Sequence, residues 1–165
     1  MTVSDSVKRE YTKYVQELIR RPSLTGEEGD IAEFVLDSLK DLGVDCYVDI
    51  AGNVVGQISC GVGPTVMLNG HLDVVPAGNL DAWAPYTPFG GDVDGDLIVG
   101  RGASDLKAGL AAQFFALKHF KEQIDLGKKF NGTLIFSAVV HEEAAEMLGM
   151  QVLIEQTLPS RAQSV

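Results

Sequence analysis

Two apolar runs constrain this chain more than anything else in it: Thr65-Val66-Met67-Leu68-Asn69, between Gly63-Pro64 and Gly70, and Thr133-Leu134-Ile135-Phe136-Ser137-Ala138-Val139-Val140 after Asn131-Gly132. Both are too short for a helix of ordinary length and too apolar for a strand with one wet face, so they predict strands buried on both sides in a mostly parallel sheet. Helical patterns lie before and between them. The whole therefore reads as an α/β fold, a three-layer sandwich with a mostly parallel central sheet.

Val7, Tyr11, Val15, Leu18 and Ile19 recur at helical spacing, with Ser4 or Ser6 as cap and Pro22 as stop, which predicts a first helix to about Arg20. Thr25-Gly26-Glu27-Glu28 has capping-box spacing before the apolar face Ile31, Phe34, Val35, Leu39 and Leu42, and Gly43 ends that second helix. Val44, Cys46, Val48 and Ile50 alternate with polar residues, and Val54 to Ile58 follow Gly52-Asn53, so an antiparallel hairpin is expected at a sheet edge. Pro76 to Asp96 reads as a long loop, and Leu97-Ile98-Val99 as a short strand. Leu106, Leu110, Phe114, Leu117, Phe120 and Ile124 predict a helix whose N-terminus sits at Asp105; Ala145, Leu148 and Val152 suggest another.

Ligands of open α/β sheets bind beyond the carboxyl ends of the strands. Here three such places carry metal-competent groups. His71 and Asp73 follow the first buried run, Asp105 lies in Gly100-Arg101-Gly102-Ala103-Ser104-Asp105-Leu106-Lys107, and Glu142-Glu143 follow the second run. An imidazole whose other nitrogen meets a carboxylate is an oriented metal ligand, and one imidazole among several carboxylates suits zinc, cobalt or manganese. Each group alone also has a structural reading: His71 and Asp73 as a hydrogen-bonded pair, Asp105 and the two glutamates as acids favoured by a helix dipole. His141-Glu142 fails as the start of a His-Glu-x-x-His zinc helix because position 145 is alanine, and Gly100-x-Gly102 fails as a dinucleotide fingerprint because Asp105 takes the final glycine position. His119 reads as a surface or core residue.

Composition bounds the partners. With 13 Lys and Arg against 23 Asp and Glu, a formal charge of −10 repels a phosphate backbone, so nucleic acid is not expected. No apolar stretch approaches the roughly 18 residues of a membrane span, the N-terminus lacks a basic-then-apolar leader, and Cys46 and Cys60 offer no metal spacing. A cytoplasmic protein in a reducing compartment, with no membrane partner, is expected.

The three motifs occur in the order Gly70-His71-Leu72-Asp73-Val74-Val75-Pro76, then Gly100 to Lys107, then Glu142-Glu143. Together they resemble the signature of the di-metal deacylases and exopeptidases that include acetylornithine deacetylase, succinyl-diaminopimelate desuccinylase and aminoacylase. Pro22-Ser23 with Gly26-Glu27-Glu28, Gly52-Asn53, and Trp83 followed by Pro88-Phe89 are similar as well. The resemblance implies that His71 binds one metal, Glu143 the other, and Asp105 bridges them, with zinc the first candidate. It further implies that Asp73 orients His71 and that Glu142 is the general base, taking a proton from the metal-bridging water and passing it to the leaving amine. A cis peptide is expected at Asp105-Leu106. The substrate implied is a small amide or peptide, an N-acyl amino acid or dipeptide; no substrate-binding residue can be named.

The family pattern also has a further acidic ligand on a later strand, a histidine ligand near the C-terminus, and an inserted lid or dimerisation domain. None has a counterpart here, and His141 and Ala145 stand where many members have Asp and Gly. Residues 1–165 are therefore expected to be the N-terminal portion of a metallohydrolase catalytic domain, its sheet incomplete on the C-terminal side. Such a piece would be poorly active alone, and a homodimer would belong to a longer form. The competing expectation is a non-catalytic remnant of that fold, acting as an interaction or weak metal-binding module.

Overall fold

The computed structural model describes residues 3–144 and 147–158. Helix α1 (Asp5–Ile19) starts at Ser4, whose Oγ accepts the Val7 N–H, and ends before Pro22. Helix α2 (Gly29–Asp41) leads through Gly43 into the hairpin of β1 (Asp45–Val48) and β2 (Val54–Ser59). Then come β3 (Thr65–His71), the small hairpin β4 (Asp92–Asp94) and β5 (Leu97–Val99), α3 (Ala108–Asp125), β6 (Thr133–Val139) and α4 (Leu148–Val152). Of the expected last helix, Ala145 lies outside the described residues.

The main sheet has the order β1-β2-β6-β3. The pairings β1-β2 and β2-β6 are antiparallel, and only β3-β6 is parallel. The expectation of a mostly parallel sheet is thereby corrected: the sheet is mixed. The hairpin does lie at the edge, but its inner strand inserts beside β6, because Val54 and Val55 alternate onto the two faces of a buried strand. A second correction concerns β3. It is the outer strand of the described sheet, with Val66 53% exposed and only Gly70 and His71 buried, so of the two apolar runs only β6 is buried on both faces.

Period two divides β6 cleanly. Phe136 and Ala138 face the core made by Val15 and Leu18 of α1, Val35 and Leu39 of α2, and Leu110 and Phe114 of α3. Ile135 and Val139 face the other way, toward Val55 and Leu153, the latter in the turn after α4. Helical segments thus cover both faces. On the thicker side Tyr14 stacks on Phe114 at 4.5 Å, and the Tyr11 hydroxyl donates to the Ala108 carbonyl at 2.9 Å, joining α1 to the start of α3.

The segment from Pro76 to Asp96 is more ordered than a plain loop. It contains a 3₁₀ turn (Leu80–Trp83) and β4, and the Trp83 indole donates to the Ala77 carbonyl at 2.9 Å. Gln16 of α1 and Arg20, its C-cap, donate to the carbonyls of Gly91 and Gly90. Among the described residues no helix is long and apolar enough to cross a membrane.

Candidate metal centre

The site grows from the end of β3. Beyond His71 the chain is held on both sides: Leu72 N–H donates to Val139, Val74 N–H to Ser23, and the Ser23 hydroxyl returns a bond to Leu72 at 2.8 Å. These bonds carry His71 and Asp73 to the carboxyl end of the parallel pair. Both side chains are buried, His71 6% exposed and Asp73 not at all.

The His71 ring is gripped at both nitrogens. Nδ1 donates to the Asp73 carbonyl at 2.9 Å and lies 3.5 Å from Asp73 Oδ1; Nε2 lies 3.0 Å from Asp105 Oδ1. Burial works against the imidazolium, but the hydrogen bonds to Asp73 and Asp105 outweigh it and raise its pKa to about 9. With Nδ1 committed to Asp73, Nε2 is the nitrogen free for a cation that displaces the proton.

Asp73 is saturated with donors. Thr25 Oγ1 donates to Oδ2 at 2.8 Å, Glu142 N–H to Oδ1 at 3.1 Å, and Glu143 N–H to Oδ2 at 2.9 Å. Burial alone would raise its pKa, yet His71 and the two backbone N–H groups hold it well below the usual carboxylate range. Thr25 was expected to cap α2. Instead α2 begins only at Gly29, with Glu28 as a cap whose side chain makes no bond to the helix, and the Thr25 hydroxyl serves the site.

Asp105 arrives from a different direction than expected. Leu97–Val99 pairs with β4 in a separate hairpin, so Asp105 does not end a strand of the main sheet. It sits in an irregular turn, Ala103–Lys107, where its own backbone is extended (φ −127°, ψ 97°) and the Asp105-Leu106 peptide is cis, as the resemblance implies. Helix α3 itself starts at Ala108, three residues past the predicted N-terminus. Two glycines make room for this turn. A Cβ on Gly70 would meet Leu106 Cδ2 at 3.2 Å, and Gly102 holds φ +80° against Val74 and Lys107. Beneath the turn Lys107 is fully buried and donates to the Arg21 carbonyl at 2.8 Å. Burial, then the Arg21 charge, pushes its ammonium down to about 8.

One ligand atom from each of His71, Asp105 and Glu143 falls within 4.8 Å of the others. The Glu143 carboxyl pKa is raised by burial and by the Asp105 charge beside it. Glu142 Oε2 lies 3.9 Å from His71 Nε2, at the rim of the same group. The set, one imidazole and two or three carboxylates with the imidazole already oriented, fits a borderline divalent cation such as zinc. His141 and His119 stand apart. His141 contributes its backbone N–H to Glu28, and His119 is 69% exposed on α3 beside Glu122.

Residue spacing assigns Ser23, Thr25, Glu28 and Asn53 no role at the site, although Ser23, Glu28 and Asn53 fall in segments that resemble the family pattern. Burial reveals Ser23, Glu28 and Asn53 as supports, and the bond to Asp73 reveals Thr25.

A mixed α/β sheet with an oriented imidazole and clustered carboxylates at its carboxyl edge is the arrangement of a candidate divalent-metal centre. Residues 67–164 match the family described as Peptidase family M20/M25/M40. The chain belongs to that family. It is 35% identical over 136 residues to a Pyrococcus abyssi protein that carries the name of a LysW-lysine/LysW-ornithine hydrolase, covering 82% of this chain and 34% of the other. A succinyl-diaminopimelate desuccinylase of Methylorubrum extorquens is 32% identical over 148 residues, covering 85% and 37%. The fold matches that of an M20 family metallo-carboxypeptidase from Sulfolobus solfataricus with a TM-score of 0.78 at 24% identity, over 92% of this chain and 35% of that one. The chain thus spans about a third of the length of the relatives it matches.

Proposed function

We propose that residues 1–165 are the N-terminal portion of the catalytic domain of a metal-dependent amide hydrolase of the N-acyl amino acid deacylase or exopeptidase type. The observation that carries this reading is the convergence of His71, Asp105 and Glu143, with ligand atoms within 4.8 Å, beside the carboxylate of Glu142. His71 Nε2, one or both oxygens of Asp105, and Glu143 would hold two divalent ions, zinc first among the candidates. When bound, such ions polarise an amide carbonyl and make water acidic enough to attack at neutral pH.

The chain's own part is proton handling and orientation. Asp73 fixes the His71 ring through Nδ1 and, by holding the N–H groups of Glu142 and Glu143, sets where both carboxylates leave the chain. The Glu142 carboxylate takes the proton of the attacking water as the new C–O bond forms, and gives it to the amine nitrogen as the C–N bond breaks. Glu142 suits this better than Glu143 because it stands outside the group of prospective ligands, with Oε2 3.9 Å from His71 Nε2 and its side chain 39% exposed.

Equilibrium dialysis of the 165-residue chain against zinc, beside His71→Ala and Glu143→Ala variants, tests the reading. Retained zinc that either substitution removes supports it, and an amide and dipeptide hydrolysis screen then follows. Retention that neither substitution changes would overturn the assignment of the ligands. Binding without turnover is expected of the 165-residue chain alone; binding without turnover in a longer form that carries the family's further ligands would favour a non-catalytic metal-binding module.

A further inference from the structure

Four consecutive backbone N–H groups after β6 are each held by a side-chain oxygen from another part of the chain. Val140 N–H donates to Asn53 Oδ1 at 3.0 Å, His141 N–H to Glu28 Oε1 at 3.1 Å, Glu142 N–H to Asp73 Oδ1 at 3.1 Å, and Glu143 N–H to Asp73 Oδ2 at 2.9 Å. Asn53 is fully buried and Glu28 is 5% exposed. Neither belongs to the group of prospective ligands. A run of N–H groups satisfied entirely by side chains has left the sheet ladder, so its course depends on those side chains.

Glu28 occupies the critical place in this run. Its partner His141 has φ +56°, the left-handed region that side-chain-bearing residues rarely adopt, and it stands directly before Glu142. Glu28 is itself fixed, since it is the cap of α2 and its carbonyl accepts the Ala32 N–H at 2.9 Å. A cavity of about 370 Å³ borders Glu28, Gly52 and His141, so the loop has room to move if the bond is lost. Burying a carboxyl group is costly unless its oxygens are hydrogen-bonded, and the His141 N–H supplies such a bond to Glu28 Oε1.

We infer that Glu28 is a positioning residue: its bond to the His141 N–H holds the chain reversal that presents Glu142 and Glu143 to His71 and Asp105. The inference rests on the proposed hydrolase reading for its purpose but not for its geometry. Asn53 anchors the same reversal one residue earlier, and its amide donates to Asp49 and to the Gly149 carbonyl.

Two readouts test this on the metal-free and cobalt-loaded chain. In the metal-free form, Glu28→Ala is expected to lower hydrogen-exchange protection of the Glu142 and Glu143 amides by about tenfold or more, although their acceptor Asp73 is untouched. Glu28→Gln keeps an acceptor oxygen and is expected to restore it. With cobalt(II) as probe, Glu28→Ala should weaken binding by about tenfold or more, as loss of a ligand-orienting group does, and alter the visible spectrum, while Glu28→Gln stays near the parent. Leu117→Ala, in the core and outside this loop, serves as a control that loses stability but keeps cobalt affinity. Unchanged protection of both amides in Glu28→Ala, or a Leu117→Ala effect on cobalt equal to that of Glu28→Ala, would overturn the inference. If the parent chain binds no cobalt while the exchange effect appears, the metal reading fails and the positioning role stands.

Discussion

Asp73 meets His71 twice: its carbonyl accepts the Nδ1–H at 2.9 Å, and its Oδ1 lies 3.5 Å from the same nitrogen. Because the backbone carbonyl and the side chain both turn toward one ring nitrogen, the other nitrogen is aimed at Asp105 without further adjustment. Asp73→Asn leaves the carbonyl in place but puts an amide N–H₂ where Glu142 or Glu143 needs an acceptor. Zinc affinity is expected to fall by about ten- to a hundredfold. Competition with a chromophoric chelator measures it, and the alanine variant should fall further and lose about 3 kcal/mol in urea unfolding as its buried partners go unpaired.

Glu142→Gln separates binding from chemistry. The variant is expected to hold zinc within about twofold of the parent, since Glu142 is outside the His71, Asp105 and Glu143 group. In any form of the protein that hydrolyses an amide, kcat should drop by about a hundredfold or more, the usual weight of a general base. Metal content by mass spectrometry and initial rates on the same preparations check both halves.

The Gly102→Ala change tests the turn that carries Asp105. At φ +80° a Cβ is unfavourable, and it would press on the Val74 side chain and on Lys107. A loss of about 2 kcal/mol or more in urea unfolding is expected, together with weaker zinc binding.

Alkaline stability reports on Tyr14. Burial pushes its hydroxyl well above the ordinary tyrosine range. The unfolded chain therefore loses this proton first, near pH 10, and above that pH the folded state binds more protons, so stability falls as pH rises. The slope from one such group is at most about 1.4 kcal/mol per pH unit. Tyr14→Phe keeps the stack on Phe114 and should remove that part of the slope, which urea unfolding at pH 9 and pH 11 measures.

The amino-acid order by itself determined the main helices and which side chains are competent to hold a metal. Helical periods in 7–19, 31–42 and 106–124 became α1, α2 and α3, since an apolar stripe can be buried in only one way. His71, Asp105 and Glu143 were legible because metal-competent groups followed apolar runs or a glycine-rich turn in a specific order. Tertiary structure alone decided which strand lies at the centre. An apolar run such as Thr65 to Asn69 reports a preference for burial, whereas pairing depends on partners distant in the chain, and β2 rather than a second parallel strand took the place beside β6. It decided equally that Thr25 and Glu28 serve the site rather than a capping box. A hydroxyl or carboxylate bonds whichever partner the fold brings within about 3 Å, and those partners, the Asp73 carboxylate 48 residues from Thr25 and the His141 N–H 113 residues from Glu28, have no trace in local spacing.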